Sequence, residues 1–291
     1  MIKEIAHAKI NLALEVMDEK DGYHMVNNLM MPIDIYDELI LEKSDDISVL
    51  NDPFPNDNIV IKASKLFFEY TKIKGGVFIK LKKNIPYQAG LAGGSTDGAA
   101  TLRGLNKLYN ANLSNLELKD LAAKLGSDVP FFIEEKPALC TGRGEKINIV
   151  NSNIKPFSIL LIKPETGLST KDVYKNYKYE GISKDKELSN LLKALENDDL
   201  ELLKNNIFND LGDVALKLSN DMNNIFVKLS LLGLKVYVSG SGPTMYILDY
   251  DNDNLDIIKE MLDASVFIKE CKSIEQKWHK SFLIFLLITI F

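Results

Sequence analysis

Cysteine is scarce in this chain, since Cys140 and Cys271 are the only two in 291 residues. Two cysteines are too few for a disulfide scaffold, and their separation is not that of zinc ligands. We therefore predict two buried thiols in a protein of a reducing compartment. No side chain is assigned as a metal ligand.

The chain also lacks a cluster of lysine and arginine, and its formal net charge is −6. A nucleic-acid surface needs concentrated positive charge, so no nucleic-acid partner is expected. Residues 1–9 contain no continuous apolar block, which argues against an export signal and predicts a cytoplasmic location.

No apolar run is long enough to span a membrane, although residues 281–291 are almost wholly apolar. As a helix this run would reach about 15 Å, half of a hydrocarbon core of about 30 Å, so no membrane span is predicted. We treat residues 275–291 as a separate tail of uncertain role. A surface anchor, a read-through extension and a buried final element are all compatible with it.

What the chain does contain is a glycine-rich segment at residues 86–100, which reads PYQAGLAGGSTDGAA. Gly90, Gly93 and Gly94 let backbone N–H groups approach an anion, and Ser95 and Thr96 are predicted to open a helix whose positive end faces it. No Lys-Ser/Thr pair follows, and no Gly-x-Gly begins it, so the segment is neither a Walker A nor a dinucleotide motif. It predicts a polyphosphate-binding loop, and the alternative is a tight strand-to-helix connection without a ligand.

Hydrophobic periodicity predicts an antiparallel sheet at the start of the chain. The predicted strands are residues 8–17 and 25–35, joined by a turn at residues 18–22, with residues 39–43 continuing the sheet. A helix over 58–70 and a strand over 77–81 precede the glycine-rich loop. Helices over 102–109 and 116–125 follow it, and Ser127 or Asp128 lies at a helix cap.

The second half of the chain has a different order of elements. A strand at 158–163 is followed by helices to about residue 232, strands at 235–238 and 245–248, a helix at 255–262 and a strand at 266–271. This βαββαβ order is the ferredoxin-like plan with extra helices in the first crossover. We place a boundary near Lys155, which gives domains of residues 1–155 and 156–274.

Three separated segments together resemble the three motifs of the GHMP small-molecule kinases. They are AKINL at residues 8–12, the loop at 90–96, and SGSGP at 239–243. Further segments resemble the branch of that superfamily that acts on a CDP-linked alcohol, namely DGYH at 21–24, GSDVP at 126–130 and GRGE at 142–145. The resemblance runs from about Ile2 to Ile274.

This resemblance implies an α+β fold of two domains, the first like ribosomal protein S5 domain 2 and the second ferredoxin-like, with the active site between them. It implies ATP-dependent phosphorylation of the 2-hydroxyl of a methylerythritol unit joined to CDP, a step of the non-mevalonate isoprenoid pathway. ATP and Mg²⁺ are the expected cofactors, and a monomer or weak homodimer is expected. Another GHMP kinase, acting on homoserine, mevalonate or a sugar, and a non-catalytic nucleotide-binding module remain as alternatives.

The resemblance makes Lys9 and Asp128 the catalytic pair. A carboxylate such as Asp128 can accept the proton of a poorly nucleophilic tertiary alcohol. A neighbouring Lys9 would keep that carboxyl ionised, orient the hydroxyl and offset charge on the transferred phosphoryl group. The alternatives are a plain helix cap for Asp128 and a surface position in an edge strand for Lys9.

The remaining site predictions concern the two ligands. Tyr23 and Tyr174 are expected to sandwich cytosine, with His24 at its polar edge. Asn11 and Thr170 match positions near the erythritol hydroxyls. The ATP loop is expected to comprise Pro86, Gly90, Leu91, Ala92, Gly93, Gly94, Ser95 and Thr96.

Two residues at the predicted start of the helix after the loop have different expected roles. Ser95 is the better candidate to approach Mg²⁺ or a β-phosphate oxygen. Asp97 stands where an asparagine or a small residue is expected, and as a first-turn acid it receives no catalytic role. The segment 239–243 is predicted to be a hairpin that supports the loop from the other domain.

Overall fold

The computed structural model describes residues 1–20, 22–50 and 58–274, and in this part of the chain two β-sheets are covered by helices. The seven strands of the first sheet are β1 (Ile2–Lys20), β2 (Tyr23–Ser44), β3 (Ser48–Leu50), β4 (Gly76–Lys82), β5 (Ala138–Thr141), β6 (Lys146–Ile149) and β8 (Phe208–Asn209). The four strands of the second sheet are β7 (Ser158–Lys163), β9 (Tyr237–Val238), β10 (Met245–Leu248) and β11 (Phe267–Lys272).

The helices lie mostly between these strands in the sequence. They are α1 (Ile59–Thr71), α2 (Gly93–Tyr109), α3 (Asn115–Ala123), α4 (Thr170–Asn176), α5 (Asp185–Asn197), α6 (Leu200–Asn206), α7 (Gly212–Leu218), α8 (Asn220–Leu231) and α9 (Asn252–Met261). A short 3-10 helix covers Val129–Ile133. None of the helices in the described residues is both long and apolar enough to cross a membrane.

The first two strands form the centre of the first sheet. β1 and β2 are 19 and 22 residues long and pair antiparallel, so β2 includes the predicted separate strand at 39–43. The prediction placed their ends several residues too far inward. Asp21, in the predicted turn between them, and the predicted tail at residues 275–291 lie outside the described residues.

The second sheet has the strand order β11-β7-β10-β9, with neighbouring strands antiparallel. This is the order that the predicted ferredoxin-like plan requires, and the predicted strands at 158–163 and 245–248 match β7 and β10 residue for residue. One short strand crosses over, because β8 pairs in parallel with β1 through Ala13↔Phe208 and Leu14↔Asn209. The predicted boundary near Lys155 stays a prediction.

The two sheets share a hydrophobic core. Ile10 and Leu12 of β1 lie in one buried cluster with Leu161 of β7 and Tyr246 of β10. Tyr246 is fully buried, and its hydroxyl donates to the Asn11 carbonyl oxygen at 2.7 Å. That bond holds β1, which carries residues of the predicted site, against the second sheet. Both cysteines are buried free thiols, as predicted.

The glycine-rich loop leads into α2 earlier than predicted. The helix begins at Gly93 rather than at Ser95, and its cap residue Ala92 has a left-handed φ of 58°. Asp97 is therefore beyond the first turn, and its side chain is buried at 3% exposure. The prediction that Asp97 is a first-turn acid serving the helix dipole was wrong.

A buried ionic cluster joins the residues before the glycine-rich loop to the helix after it. Lys83, which follows β4, donates both to Asp37 of β2 and to the Asp97 carboxylate, the latter at 2.5 Å. Asp37 also accepts from the backbone N–H groups of Asn84 and Ile85 at 2.5 and 2.9 Å. The contacts of Lys83, Asp37 and Asp97 thus join β2, the start of the loop and α2.

The cluster places one ammonium group between two carboxyl groups. Burial opposes the charge of Lys83, but Asp97 and Asp37 outweigh that effect and raise its pKa. Burial also raises the pKa of Asp97 to about 7, against the attraction of Lys83 and with the repulsion of Asp37. Lys83 therefore keeps its proton firmly, whereas Asp97 is the acid that holds a proton close to neutral pH.

We expect Tyr246→Phe to lower the free energy of unfolding by about 1–2 kcal/mol, because the Asn11 carbonyl loses a buried donor. Urea denaturation measures the change. Tyr250→Phe is the matched control, since its hydroxyl donates to Glu270 at an exposed site and its loss costs less than about 0.5 kcal/mol. Equal effects of the two substitutions would contradict a role for Tyr246 in joining the sheets.

A second expectation concerns pH. The native state keeps a proton on Asp97 between about pH 4 and 7, where the unfolded chain has lost it, so stability falls as pH rises through this window. Over pH 5 to 7 the fall is roughly 2 kcal/mol, at about 1.4 kcal/mol per pH unit for one proton. Denaturation of Asp97→Asn across this range is expected to lack that fall.

Asp198→Asn is the control for this measurement, because Lys155 lowers the pKa of Asp198 and the fall should persist without it. An unchanged pH profile in Asp97→Asn would show that another group is responsible.

Candidate active site

A cleft of about 890 Å³ lies where the glycine-rich loop, the long strands β1 and β2, and helix α4 approach one another. Most of the predicted site residues line it: Lys9, Asn11, Tyr23, His24, Pro86, Gly90, Ala92, Gly93, Gly94, Ser95, Asp128, Thr170 and Tyr174. Residues from distant parts of the sequence are thus brought to one cavity, and among them are the predicted catalytic pair.

Two residues of the predicted ATP loop are placed differently. Leu91 packs in the hydrophobic core between the sheets. Thr96 is fully buried, and its amide donates to the Ala92 carbonyl as part of α2, so that N–H is already used. Neither residue is among those that line the cleft.

The conformation of the loop explains its glycines. Gly90 has a φ of 72°, and a Cβ atom there would lie 2.3 Å from the Ser239 carbonyl oxygen, so a side chain cannot be accommodated. At Gly94 a Cβ atom would meet nothing within 4 Å. Gly90 therefore permits contact between the loop and the 239–243 hairpin, whereas Gly94 leaves open space at the start of α2, where backbone amides favour an anion.

Lys9 lies on β1 where it pairs with β2, its backbone N–H donates to the Leu91 carbonyl oxygen at 3.3 Å, and it is 3% exposed, so it is not a surface residue of an edge strand. Its ammonium group donates to Asn11 Oδ1 at 2.6 Å and to the Gly90 carbonyl oxygen at 2.8 Å. Burial lowers the pKa of Lys9, and the negative charge of Asp128 opposes that shift. Lys9 thus connects the first strand to the glycine-rich loop.

The 239–243 hairpin contacts the glycine-rich loop, as predicted, and also lies close to Lys9. The Ser239 hydroxyl donates to the Gly90 carbonyl oxygen at 3.1 Å. A Cβ atom on Gly240 would lie 3.3 Å from Lys9 Nζ, so glycine permits this close approach. The three motifs of the resemblance therefore meet at Lys9.

Asp128 precedes the 3-10 helix Val129–Ile133, with Pro130 in its first turn. Asp128 occupies the N-cap position, as predicted, but its side chain makes no capping hydrogen bond, so it is not a plain helix cap. The carboxylate lines the cleft and acts electrostatically on Lys9. Burial, followed by this same negative charge, raises the pKa of the Tyr174 hydroxyl.

The aromatic residues line the cleft together. Tyr23 is 55% exposed, which is high for a large side chain that lines a cavity. His24 bonds to the Met17 carbonyl oxygen through Nδ1 at 3.2 Å, and its ring lies 5.7 Å from that of Tyr174 at an interplanar angle of 31°. The arrangement offers flat ring faces to a ligand.

The two predicted alcohol-binding residues are held by neighbours. Asn11 accepts from Lys9 and donates through Nδ2 to Asn28 Oδ1 at 2.5 Å. Thr170 begins α4, and its hydroxyl lies 2.8 Å from that of Ser241 in the hairpin. Both side chains line the cleft with fixed orientations.

Some cleft residues were not predicted from the sequence. They include Asn28, Lys83, Asp97, Ser127 and Arg143. A lysine just ahead of a glycine-rich loop was a usable signal for Lys83, and the GRGE segment was one for Arg143. Nothing local marks Asn28, which reaches the cleft only because β2 pairs with β1. Among the described residues, no group of three or more His, Cys, Asp and Glu side chains forms a metal site.

Comparison with known proteins agrees with this geometry. Residues 58–136 match the GHMP kinases N terminal domain, and residues 191–269 match the GHMP kinases C terminal domain. A 4-diphosphocytidyl-2-C-methyl-D-erythritol kinase from Clostridium beijerinckii is 40% identical over 276 residues, covering 92% of this chain and 96% of that protein. One of the same name from Clostridium botulinum is 43% identical over 250 residues, covering 83% and 88%.

Solved structures give the same result. A crystal structure of 4-(cytidine 5'-diphospho)-2C-methyl-D-erythritol kinase superimposes with a TM-score of 0.79 at 30% identity, covering 94% of this chain and all 100% of that one. Homoserine kinase from Cytophaga hutchinsonii shares the fold, with a TM-score of 0.73 at 18% identity over 94% of each chain. The chain therefore belongs to the 4-diphosphocytidyl-2-C-methyl-D-erythritol kinases, a family of ATP-dependent small-molecule kinases within the GHMP superfamily.

Proposed function

We propose that this chain transfers the γ-phosphoryl group of ATP to the 2-hydroxyl of 4-diphosphocytidyl-2-C-methyl-D-erythritol, giving the 2-phosphate and ADP in the non-mevalonate isoprenoid pathway. One observation carries the proposal. Lys9 and Asp128 line the same cleft, which has the glycine-rich loop and the aromatic cluster Tyr23, His24 and Tyr174 among its other walls. A kinase for a CDP-linked alcohol needs a phosphate site, a base site and an acid–base pair in one cavity.

Asp128 is the proposed proton acceptor. As the alcohol oxygen forms its bond to the γ-phosphorus, its proton passes to the carboxylate, and the bond from phosphorus to the β–γ bridging oxygen breaks. ADP leaves with that oxygen, and the proton is later released to solvent. The absence of a capping bond supports this role, because the carboxylate oxygens are not committed to the helix start.

Lys9 is the proposed positioning and charge-stabilising group. An ammonium group has three N–H donors, and Asn11 and Gly90 accept two of them, which leaves a third for a ligand oxygen. A buried positive charge beside the cleft favours the charge that develops on the transferred phosphoryl group. The same contacts hold Asn11 and the loop in register with the reacting atoms.

The loop is proposed to hold the ATP phosphates. The backbone at Gly93 and Gly94 lies at the start of α2, where N–H groups have no partner within the helix, and Ser95 adds a hydroxyl in the first turn. These groups suit a magnesium-bound polyphosphate, and Mg²⁺ would neutralise the phosphate charge there. Pro86, Ala92 and Gly90 complete this wall. The buried positions of Leu91 and Thr96 limit them to a supporting role.

Substrate recognition is assigned to the aromatic cluster and to two polar side chains. Tyr23 and Tyr174 present rings for cytosine, and His24 lies beside them to meet the polar edge of the base. Asn11 and Thr170 would contact the erythritol hydroxyls. With a net charge of −6 and no basic cluster, we also propose that the protein has no nucleic-acid partner. A cytoplasmic location and a monomer or weak homodimer are part of the same proposal, as expected from the sequence and the resemblance.

A coupled ADP-release assay tests this function. ADP should appear with the CDP-linked methylerythritol and much more slowly with homoserine, mevalonate or methylerythritol 4-phosphate, which lack the cytidine group. Phosphorus NMR of the product should give a new phosphomonoester signal. Faster turnover of an alcohol without cytidine would overturn the proposed substrate.

For Asp128→Ala we expect kcat to fall at least about 100-fold while the KM for ATP changes little, because the carboxylate acts on the alcohol proton. Steady-state kinetics with both substrates varied measures this split. Asp120→Ala, at an exposed position of α3, is the control and should retain full activity. Parallel losses in kcat and in ATP affinity for Asp128→Ala would show that the residue has another role.

For Tyr23→Ala we expect the KM for the CDP-alcohol to rise roughly tenfold, with little change in the KM for ATP, since a stacked base contributes about 1–3 kcal/mol. Tyr36→Ala is a matched control on the same strand, where the tyrosine is 38% exposed and packs on His7. An unaltered KM for the CDP-alcohol would place cytosine elsewhere in the cleft.

A further inference from the structure

The turn at residues 142–145 has no role in the function proposed above, yet it is held firmly beside the cleft. It joins β5 to β6, and Gly142 and Gly144 adopt φ angles of 74° and 106°. The Gly142 carbonyl oxygen accepts from Val26 N–H at 2.8 Å, and Glu145 accepts from the Arg143 backbone N–H at 2.7 Å. The backbone that carries Arg143 is therefore fixed against β2.

The turn that carries Arg143 approaches two parts of the proposed site. On one side, its guanidinium carbon is 4.9 Å from the centroid of the Tyr23 ring. On the other side, a Cβ atom on Gly144 would lie 3.9 Å from Asp128 Oδ1. Arg143 thus lines the cleft beside the ring assigned to cytosine, and the next residue of its turn lies near the carboxylate assigned to the reacting hydroxyl.

The charge of Arg143 is available to a ligand. Four lysine and arginine side chains among the described residues line the cleft: Lys9, Lys83, Arg143 and Lys171. Lys9 and Lys83 already bond to protein oxygens. In the described part of the chain, no carboxylate pairs with the Arg143 guanidinium, which lies over Tyr23. A guanidinium stacked on a ring keeps its edge N–H donors free.

The covalent order of the proposed substrate matches this arrangement. In a CDP-linked alcohol the diphosphate joins the nucleoside to the alcohol, so it must cross the region between the base and the reacting hydroxyl. A diphosphate is anionic, and the planar donor edge of arginine matches two phosphate oxygens at once. Building on the proposed function, we infer that Arg143 binds the diphosphate linker of the CDP-alcohol.

Calorimetric titration of cytidine and of CDP tests this assignment, because the two ligands differ only in the diphosphate. Arg143→Gln should weaken CDP binding about tenfold and change cytidine binding less than twofold, as expected for the loss of a partly exposed charged hydrogen-bond pair. Arg143→Lys should recover part of the CDP affinity. Lys146→Gln, an exposed cation of the adjacent strand that does not line the cleft, should bind both ligands like the parent protein.

Kinetics supply a second readout for the same variants. Arg143→Gln should raise the KM for the CDP-alcohol about tenfold and leave kcat and the KM for ATP unchanged. A raised KM for ATP instead would mean that Arg143 contacts the ATP phosphates, and it would overturn the inference.

Two results of the titration would also overturn it, and a third would refute the proposed function. Equal weakening of cytidine and CDP would mean that Arg143 only supports the Tyr23 ring. Normal CDP binding by Arg143→Gln combined with weak binding by Lys171→Gln would move the diphosphate to α4. Failure of the parent protein to bind either ligand would instead refute the proposed substrate, a result that is distinct because it does not depend on the variant.

Discussion

A buried ammonium group is the constraint on which the rest of this site depends. An isolated charge in a protein interior costs several kcal/mol unless polar groups surround it. Lys9 meets that requirement with the side chain of Asn11 on its own strand and the carbonyl of Gly90 in the loop. The Ser239 hydroxyl of the second domain bonds to that same carbonyl. The loop, the first strand and the hairpin must therefore be assembled together before the charge is accommodated.

A second ammonium group, that of Lys83, holds the other end of the glycine-rich loop, and its partners are carboxyl groups. Lys83 lies between Asp37 and Asp97, so the cluster has more carboxyl groups than one cation can neutralise. Burial, together with the repulsion by Asp37, raises the pKa of Asp97 against the attraction of Lys83, which makes the start of α2 sensitive to pH. Near neutral pH the charge of this cluster can therefore change by one unit beside the proposed phosphate site, because Asp97 lines the cleft.

Local sequence patterns predicted the helices and strands of this fold better than they predicted the contacts between distant segments. Short, continuous apolar runs located β7 and β10 to the residue, and the order of elements predicted the second sheet. The start of α2 was missed because Ala92 takes a left-handed conformation that its residue type does not signal. The burial of Asp97, the pairing of β8 with β1 and the position of Arg143 all follow from contacts between distant segments. The resemblance of motifs predicted that Lys9 and Asp128 share one site, but it did not predict these contacts.

The groups proposed for phosphoryl transfer and those proposed for substrate recognition lie on different elements of the structure. Lys9 and the loop are held by the buried core and by the hairpin, so a change there disturbs several elements at once. Tyr23, Arg143 and Tyr174 come instead from the start of β2, the β5–β6 turn and α4, and Tyr23 and Arg143 are exposed. Substitution at such positions costs little stability. A common fold can therefore serve different alcohols, because the base and linker contacts can vary while the buried ammonium group and its partners stay in place.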